Sequence, residues 1–262
     1  MTLSVKGLGY CYGSAEVLRD VSFSVERGAF LSIIGPNGVG KTTLFRCILG
    51  ILPDYTGEIA VDGADIRTLS RRKMAKKIAY IPQVHKPTFG YSVLDTVLMG
   101  TAHQLGSFSQ PKKEQIDCAY AALERLGIDS LGARNFARLS GGEQQLVLVA
   151  RAIAQQADTL VMDEPTSALD YGNQLRVLRQ VRTLADEGYT VLLSTHNPQH
   201  ALSYAGQLLA LSAGRIAAFG RPEEVLTEAL IRKLYDVDVE FAQTNGGRVI
   251  VPLIQMTKGE QK

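Results

Sequence analysis

The most informative segment of this 262-residue sequence is Gly35-Pro36-Asn37-Gly38-Val39-Gly40-Lys41-Thr42-Thr43. It fits the pattern G-x-x-x-x-G-K-[ST], in which a lysine and a hydroxyl residue follow the second glycine. An apolar run at residues 30–34 precedes the segment, and a helix-like run at residues 44–49 follows it. Because the pattern needs a strand before it and a helix after it, this context favours a phosphate-binding loop over a chance glycine-rich turn.

Each residue type in this segment suits a polyphosphate ligand. Glycines let backbone N–H groups turn inward on phosphate oxygens, and the start of the following helix adds a positive dipole. Lys41 would reach the β- and γ-phosphates, and the Thr42 hydroxyl would coordinate Mg²⁺. The segment therefore predicts a nucleotide site with a magnesium ion.

The composition is that of an ordinary globular protein, with 45% hydrophobic and 21% charged residues. A net charge of +2 is too small to indicate a nucleic-acid partner, and we expect the basic segment 71–77 to be a solvated helix face. Cys11, Cys47 and Cys118 are scattered without a C-x-x-C pair, which indicates reduced thiols and no structural metal. No signal peptide is recognisable, and no run of about 20 apolar residues could span a membrane.

Alternating apolar and polar residues predict a small antiparallel layer near the amino terminus. The alternation covers residues 3–6 and 21–25, and residues 56–63 repeat it. Farther along, continuous apolar runs at residues 78–81, 159–162 and 190–195 alternate with helical patterns. Such runs indicate a parallel sheet with helices on both faces, and therefore an α/β fold.

Helical patterning replaces strands between residues 84 and 139, so we expect a helical insertion there. After it, the segment Leu139-Ser140-Gly141-Gly142-Glu143-Gln144-Gln145 opens a helix that we place at residues 146–155. This is a second glycine-containing helix start, and so a second potential anion site. One triphosphate has little use for two phosphate cradles unless the second serves a different molecule.

Polar side chains follow three of the predicted parallel strands. Asp163 and Glu164 end one strand, Gln83 ends another and His196 a third. Ligands of α/β sheets bind at the carboxyl ends of the strands, so Asp163 would join the Mg²⁺ shell and Glu164 would polarise the attacking water. The Gln83 amide would meet Mg²⁺ or that water, although a capping amide is the commoner role, and a neutral His196 would donate to a γ-phosphate oxygen. His196 and His200 do not predict a zinc site, because Pro198 interrupts the helix and no third ligand is evident.

Taken together, these motifs resemble the nucleotide-binding subunit of ABC transporters, and the resemblance covers nearly the whole chain. It implies the ABC ATPase fold, a P-loop NTPase with a RecA-like parallel sheet core, an antiparallel β-subdomain and a helical insertion subdomain. As a single domain over residues 1–262, the chain would divide into a nucleotide-binding core with the β-subdomain (1–83 and 140–219), a helical signature subdomain (84–139) and a short C-terminal extension (220–262).

The resemblance also implies a role for each motif. The segments match the Walker A loop (35–43), the Walker B strand (159–163) with Glu164 as the catalytic glutamate, the signature motif (139–145), the Q-loop (Gln83), the D-loop (167–170, ending at Asp170) and the switch histidine (His196). Tyr12 falls where the family places an aromatic ring on adenine, although Tyr10 is close enough to compete. ATP and Mg²⁺ are the implied ligands.

In such proteins two subunits face each other head to tail. Ser140, Gly141 and Gly142 of one copy would then close on the γ-phosphate held by Lys41 of the other, with Glu143 and Asp170 completing the nucleotide-binding set. One departure from the family is Leu146, which stands where many relatives carry a basic residue; we expect it on a helix surface. The resemblance therefore implies a homodimeric ATPase.

Two segments, residues 89–100 and the tail 221–252, resemble the equivalent segments in importers of iron complexes, haem, cobalamin and molybdate. This implies a separate membrane permease, a periplasmic or lipoprotein binding protein, and a peripheral position on the cytoplasmic face of the membrane. Phe89 and Tyr91 are candidate permease contacts; Val93 and Leu94 are weaker candidates, for which we expect core packing. The alternative is a soluble ABC ATPase of DNA repair or translation, but the first type needs a long coiled coil and the second usually carries two cassettes.

Overall fold

The computed structural model describes residues 2–83, 90–105 and 109–253. The strands are β1 (Leu3–Tyr12), β2 (Ala15–Val25), β3 (Phe30–Ile34), β4 (Thr56–Val61), β5 (Ala64–Asp65), β6 (Ile78–Ile81), β7 (Thr159–Asp163), β8 (Thr190–Thr195), β9 (Gln207–Ser212), β10 (Arg215–Gly220), β11 (Val239–Thr244) and β12 (Gly247–Pro252). The helices are α1 (Lys41–Ile48), α2 (Arg71–Lys77), α3 (Val93–Leu98), α4 (Lys113–Arg125), α5 (Gly141–Ala154), α6 (Tyr171–Asp186), α7 (Pro198–Tyr204), α8 (Pro222–Val225) and α9 (Glu228–Tyr235). As predicted, strands and helices alternate.

The central sheet has the strand order β10-β9-β3-β8-β7-β6. The strands from β9 to β6 run parallel, and β10 is an antiparallel edge. Every residue of β3, β7 and β8 is buried, which is why these segments read as continuous apolar runs rather than alternating ones. The carboxyl ends of β3, β6, β7 and β8 share one edge, and the functional loops leave the sheet there.

A second, antiparallel sheet has the order β2-β1-β4-β5, as the alternating amino-terminal pattern predicted. Its inner face shares one hydrophobic core with α1 and with the near face of the central sheet. Within that core Leu44, Phe45 and Ile48 of α1 are fully buried. The helix that follows the glycine loop is therefore fixed between two sheets.

Helices α3, α4 and α5 form the helical region, in which α5 also packs against α6 and β6. The structure corrects two expectations here. The helix begins at Gly141 rather than at residue 146, because Ser140 and Glu143 form a capping box that offsets the low helix propensity of two glycines. Leu146 is only 1% exposed, so its predicted position on a helix surface is wrong. Because α3, α4, α6 and β6 all pack against α5, most of the surface of this helix is buried.

The C-terminal segment contains α8, α9 and a hairpin of β11 and β12. Leu230, Ile231 and Leu234 of α9 share a hydrophobic cluster with Ile34, the last residue of β3. None of the helices in the described ranges is both long and apolar enough to cross a bilayer.

Candidate nucleotide-binding site

The loop between β3 and α1, called the P-loop below, packs tightly against its neighbours. At Gly35, with φ of 151°, an added Cβ would lie 2.6 Å from the Leu211 carbonyl oxygen of β9. At Gly40, with φ of 110°, it would lie 2.9 Å from Leu18 Cδ2 of β2. Both positions combine a backbone conformation that L side chains rarely adopt with a lack of space, so both require glycine.

Lys41 begins α1 and is only 5% exposed. Its Nζ atom donates to the carbonyl oxygens of Gly35 at 2.8 Å and Pro36 at 3.1 Å, and forms an ion pair with Glu164 Oε1 at 3.2 Å. Three acceptors therefore surround the ammonium group, as a buried charge requires.

A cleft of about 410 Å³ opens beside the P-loop. It is lined by Tyr12, Val17, Asn37, Gly38, Gly40, Lys41, Thr42, Thr43, Gln83, Asp163 and Glu164. All of these except Val17 were predicted as site residues. Three other predicted P-loop residues lie outside the lining: Gly35 and Pro36 bind Lys41 through their carbonyls, and Val39 packs against the core.

The two candidate tyrosines occupy different environments. Tyr12 is 43% exposed and lines the cleft, whereas Tyr10 is half-buried against the core of the antiparallel sheet. Their rings meet edge to face, with centroids 4.9 Å apart. Tyr12 therefore presents a ring to the cleft, and Tyr10 supports it from the side.

Asp163 and Glu164 leave β7 at the cleft, and Ser194 on the adjacent strand β8 connects them. The Ser194 hydroxyl donates to Asp163 Oδ1 at 2.7 Å and accepts the Glu164 backbone N–H at 2.9 Å. Glu164 has φ of 45°, a left-handed conformation that is uncommon outside glycine and tends to occur at functional sites. Sequence reasoning missed Ser194, whose only signal was a hydroxyl near the end of an apolar strand.

The Glu164 carboxylate lies between the side chains of Lys41 and His196. One oxygen pairs with Lys41, and the other, Oε2, lies 3.3 Å from His196 Nδ1. His196 follows β8 and is half-exposed, so its ring lies at the rim of the site. The structure thus brings Glu164, Lys41 and His196 together, although His196 is not part of the described cleft lining.

Gln83 follows β6 and reaches the segment after Glu164. Its Nε2 atom donates to Ser167 Oγ at 2.8 Å, and the Ser167 hydroxyl donates to the Glu164 carbonyl oxygen at 3.1 Å. The Ser167 side chain therefore connects Gln83 to the backbone of Glu164 by two hydrogen bonds.

The residues of the second glycine segment lie elsewhere. Ser140 caps α5, its hydroxyl accepting the Glu143 N–H and donating to the Glu143 carboxylate. Hydrogen bonds from the Ser140 hydroxyl and backbone N–H hold the pKa of Glu143 below its usual range. Asp170 similarly caps α6. The described lining of the cleft includes none of Ser140, Gly141, Gly142, Glu143 and Asp170, so one chain does not gather all the predicted nucleotide-binding residues.

A second groove, of about 550 Å³, lies between α2 with the loops that flank it and residues of the helical region, among them Met99 and Arg151. Apolar residues dominate its lining, and its charged residues are Arg67, Arg71 and Arg151. Among the proposed permease contacts, Tyr91 is exposed, while Val93 is buried and Leu94 packs against the core, as expected for these two. Phe89 lies outside the described residues.

Comparisons with known proteins find similarity along most of the chain. The family model for the ABC transporter domain matches residues 18–167, which include the P-loop, Gln83, the start of α5 and Asp163–Glu164. A "Probable iron chelatin transport ATP-binding protein" of Helicobacter pylori is 38% identical, over 92% of this chain and 95% of the relative. A hemin import ATP-binding protein of Thermobifida fusca is 37% identical, over 97% of this chain and 88% of the relative.

The fold agrees as well. A solved structure described as a "metal-chelate type ABC transporter" in an inward-facing conformation superposes with a TM-score of 0.86 at 34% identity, covering 97% of this chain and 98% of that chain. Family match, relatives and fold all point to nucleotide binding and to ATP hydrolysis by this chain. The chain belongs to the ABC transporter family, as one of its ATP-hydrolysing subunits.

Proposed function

We propose that two copies of this chain bind two ATP molecules between them, head to tail. The observation that carries this proposal is the separation of the nucleotide-binding residues within one chain. Lys41 and Thr42 line the cleft, whereas Ser140 and Gly141 lie exposed at the start of α5, outside its described lining. A helix start attracts phosphate through its free N–H groups and its dipole. The start of α5 would therefore close the cleft of a second copy.

Within the cleft, Tyr12 would stack on adenine, and the P-loop N–H groups with Lys41 would hold the phosphates. The Thr42 hydroxyl, the Gln83 amide and the Asp163 carboxylate line the same cleft and supply the oxygen ligands that Mg²⁺ prefers. Ser194 orients the Asp163 carboxylate for this role. Bound there, Mg²⁺ would neutralise charge on the phosphates.

For hydrolysis, Glu164 would accept a proton from the attacking water, and His196 would donate to the γ-phosphate. Both assignments rest on the contacts of the Glu164 carboxylate with Lys41 and His196, at 3.2 and 3.3 Å. An arriving phosphate competes for Lys41, which frees one carboxylate oxygen of Glu164 to act as a base. A movement of the permease that displaces Gln83 would shift Glu164 through the hydrogen bonds of Ser167.

The ATPase would drive an importer through a separate membrane permease. The cargo would be a metal complex or an oxyanion, of the iron-siderophore, haem, cobalamin or molybdate type, as the sequence resemblance implies. The relatives named for iron chelatin and hemin support a metal complex. A periplasmic or lipoprotein binding protein would deliver that cargo, and this subunit would lie on the cytoplasmic face of the membrane. The 550 Å³ groove and the exposed Tyr91 are the surfaces that we assign to the permease.

Uptake measurements test this function. We would delete the coding gene from the source organism and measure uptake of labelled iron chelate, hemin, cobalamin and molybdate. Complementation with Glu164→Gln should fail, with ATP turnover lowered at least about 100-fold, the scale expected for loss of a general base. Glu224→Gln makes the same chemical change on an exposed surface and should restore uptake fully.

Two outcomes would count against the proposal. One is a deletion strain that takes up all four cargoes normally, which would favour the alternative of a non-transport ABC ATPase. The other is a Glu164→Gln chain that supports normal turnover, which would remove Glu164 from the chemistry.

A further inference from the structure

The start of α5 is in direct contact with the segment that follows Glu164. A Cβ added to Gly142 would lie 2.5 Å from both Cγ and Oδ1 of Asn173 and 3.0 Å from its Cβ, and all three nearest atoms belong to that side chain. A Cβ on Gly141 would lie 3.2 Å from Leu169 Cδ2. Two consecutive residues of the signature segment thus pack against the loop 167–170 and the first turn of α6.

Gly142 is not required by its backbone conformation. It lies inside a helix and does not have a positive φ angle, so any L-residue could adopt its conformation. What excludes a side chain is the amide of Asn173. The close approach of α5 and α6 within one chain therefore explains why a residue without a side chain stands at position 142.

Asn173 also binds Asp170 twice. Its backbone N–H donates to Asp170 Oδ1 at 2.9 Å, and its side-chain Nδ2 donates to Asp170 Oδ2 at 2.7 Å. These two bonds, the backbone one first, hold the pKa of Asp170 below its usual range. Gln174 next to it donates to the Leu169 carbonyl oxygen at 2.9 Å. The first turn of α6 thus fixes both the carboxylate and the backbone of the loop 167–170.

An ordinary helix cap does not need this arrangement. Capping of α6 requires only the bond between the Asp170 carboxylate and the Asn173 backbone N–H. The Nδ2 bond and the contact with Gly142 are additional, and they place the Asn173 side-chain amide between Asp170 and the start of α5. The same side chain touches both segments that, under the proposed function, face the partner copy.

We propose that Asn173 is a positioning residue that joins the loop 167–170 to the start of α5, so that Asp170 and Ser140–Gly142 meet the partner copy as one rigid surface. This inference rests on the proposed head-to-tail dimer. It assigns to Asn173 no contact with the nucleotide of its own chain, since Asn173 lies outside the described lining of the cleft.

Sedimentation of the full chain tests the proposal. In a Glu164→Gln background with saturating Mg·ATP, we compare dimer dissociation with and without Asn173→Ala, and measure ATP binding to the cleft with a fluorescent ATP analogue. Asn173→Ala should raise the dimer dissociation constant at least about tenfold. It should change the affinity of the monomer for the analogue, measured at protein concentrations well below that constant, less than about twofold. The tenfold loss corresponds to about 1.4 kcal/mol, the scale of one hydrogen bond to a charged group.

Thr227→Ala is the matched control. It removes the side-chain cap of α9, which accepts the Leu230 N–H far along the chain from α5 and α6. It should lower Tm by about 2–4 °C, as expected for loss of one side-chain cap, without changing dimer dissociation. If the Asn173 variant dimerises as its parent does, the positioning role is overturned and the dimer stands. If the parent remains monomeric with Mg·ATP, the proposed dimer fails, and the positioning role fails with it.

A second pair of variants tests the contact itself, without activity or dimerisation. Gly142→Ala should lower Tm in the wild-type chain, because its Cβ meets Asn173. In an Asn173→Gly background the same change should be neutral or should raise Tm, because alanine is the better helix former once the space is free. Equal losses in the two backgrounds would overturn the proposed contact.

Discussion

Ser194 offers the sharpest single-residue test of how this site is held together. Its hydroxyl is buried, donates to Asp163 Oδ1 at 2.7 Å and accepts the Glu164 N–H at 2.9 Å. Ser194→Ala removes a hydrogen bond to a carboxylate, worth about 1.5–3 kcal/mol, and one between neutral groups, worth about 1 kcal/mol. We expect the free energy of unfolding to fall by about 2–4 kcal/mol, which for a chain of this size lowers Tm by roughly 4–16 °C.

Catalysis should suffer as well. The left-handed conformation of Glu164, with φ of 45°, costs about 1–3 kcal/mol and persists only while its surroundings enforce it. With Ser194 gone, Glu164 would relax away from Lys41 and His196, and we expect the rate of ATP hydrolysis to fall about 10- to 100-fold. Urea unfolding followed by circular dichroism measures the stability change, and phosphate release measures the rate.

Ser32→Ala provides a matched comparison on the neighbouring strand. Ser32 is also buried in the central sheet, but its Oγ has no hydrogen-bond partner within the described residues. Removing an unpaired buried hydroxyl should be neutral or slightly stabilising. If Ser194→Ala and Ser32→Ala agree within about 0.5 kcal/mol and hydrolyse ATP equally fast, the reasoning about Ser194 is refuted.

The remaining tests concern the backbone, the core and pH. Gly40→Ala should destabilise the chain in urea unfolding by at least about 2 kcal/mol more than Gly38→Ala, because both have positive φ but only Gly40 lacks space. Leu146→Arg should cost at least about 3 kcal/mol by the same assay, since it buries an unpaired charge; a neutral result would mean that the side chain reaches solvent. Burial, and to a lesser extent the charge of His196, lowers the pKa of His200, so the unfolded state binds a proton more readily than the folded state. The contribution of His200 to the free energy of unfolding should therefore be complete above about pH 6.5 and should fall as the pH drops towards the pKa of the folded state. In urea unfolding across pH 5–8, His200→Asn should flatten this pH dependence. An unchanged slope would show that His200 is not responsible.

The sequence was sufficient for the architecture of the site because the decisive signals are local. The P-loop pattern fixes the order of strand, loop and helix, and buried parallel strands read as continuous apolar runs. Gln83 and Asp163 follow such runs, and the structure places both in the cleft. His196 follows a third run and lies 3.3 Å from Glu164.

What the sequence could not provide depends on contacts between distant segments. Ser194 meets Asp163 because β7 and β8 pair in a register that no local pattern specifies. The start of α5 was placed five residues too late, because helix propensity disfavours glycine and the capping box of Ser140 and Glu143 outweighs that preference. Leu146 was misplaced for a related reason, since the number of faces a helix buries depends on its neighbours.

The contacts of Lys41 have a consequence for nucleotide affinity. A lysine ammonium group has three hydrogens, and the three acceptors around that of Lys41 are the carbonyl oxygens of Gly35 and Pro36 and the Glu164 carboxylate. Under the proposed function, nucleotide binding at this lysine would be an exchange of acceptors, and its favourable free energy would be the difference between the bond to a phosphate and the bonds to the groups that leave. On this proposal, a chain with a weaker ion pair between Lys41 and Glu164 would bind ATP more tightly with no new contact to the ligand, so Glu164 would set the affinity as much as Lys41.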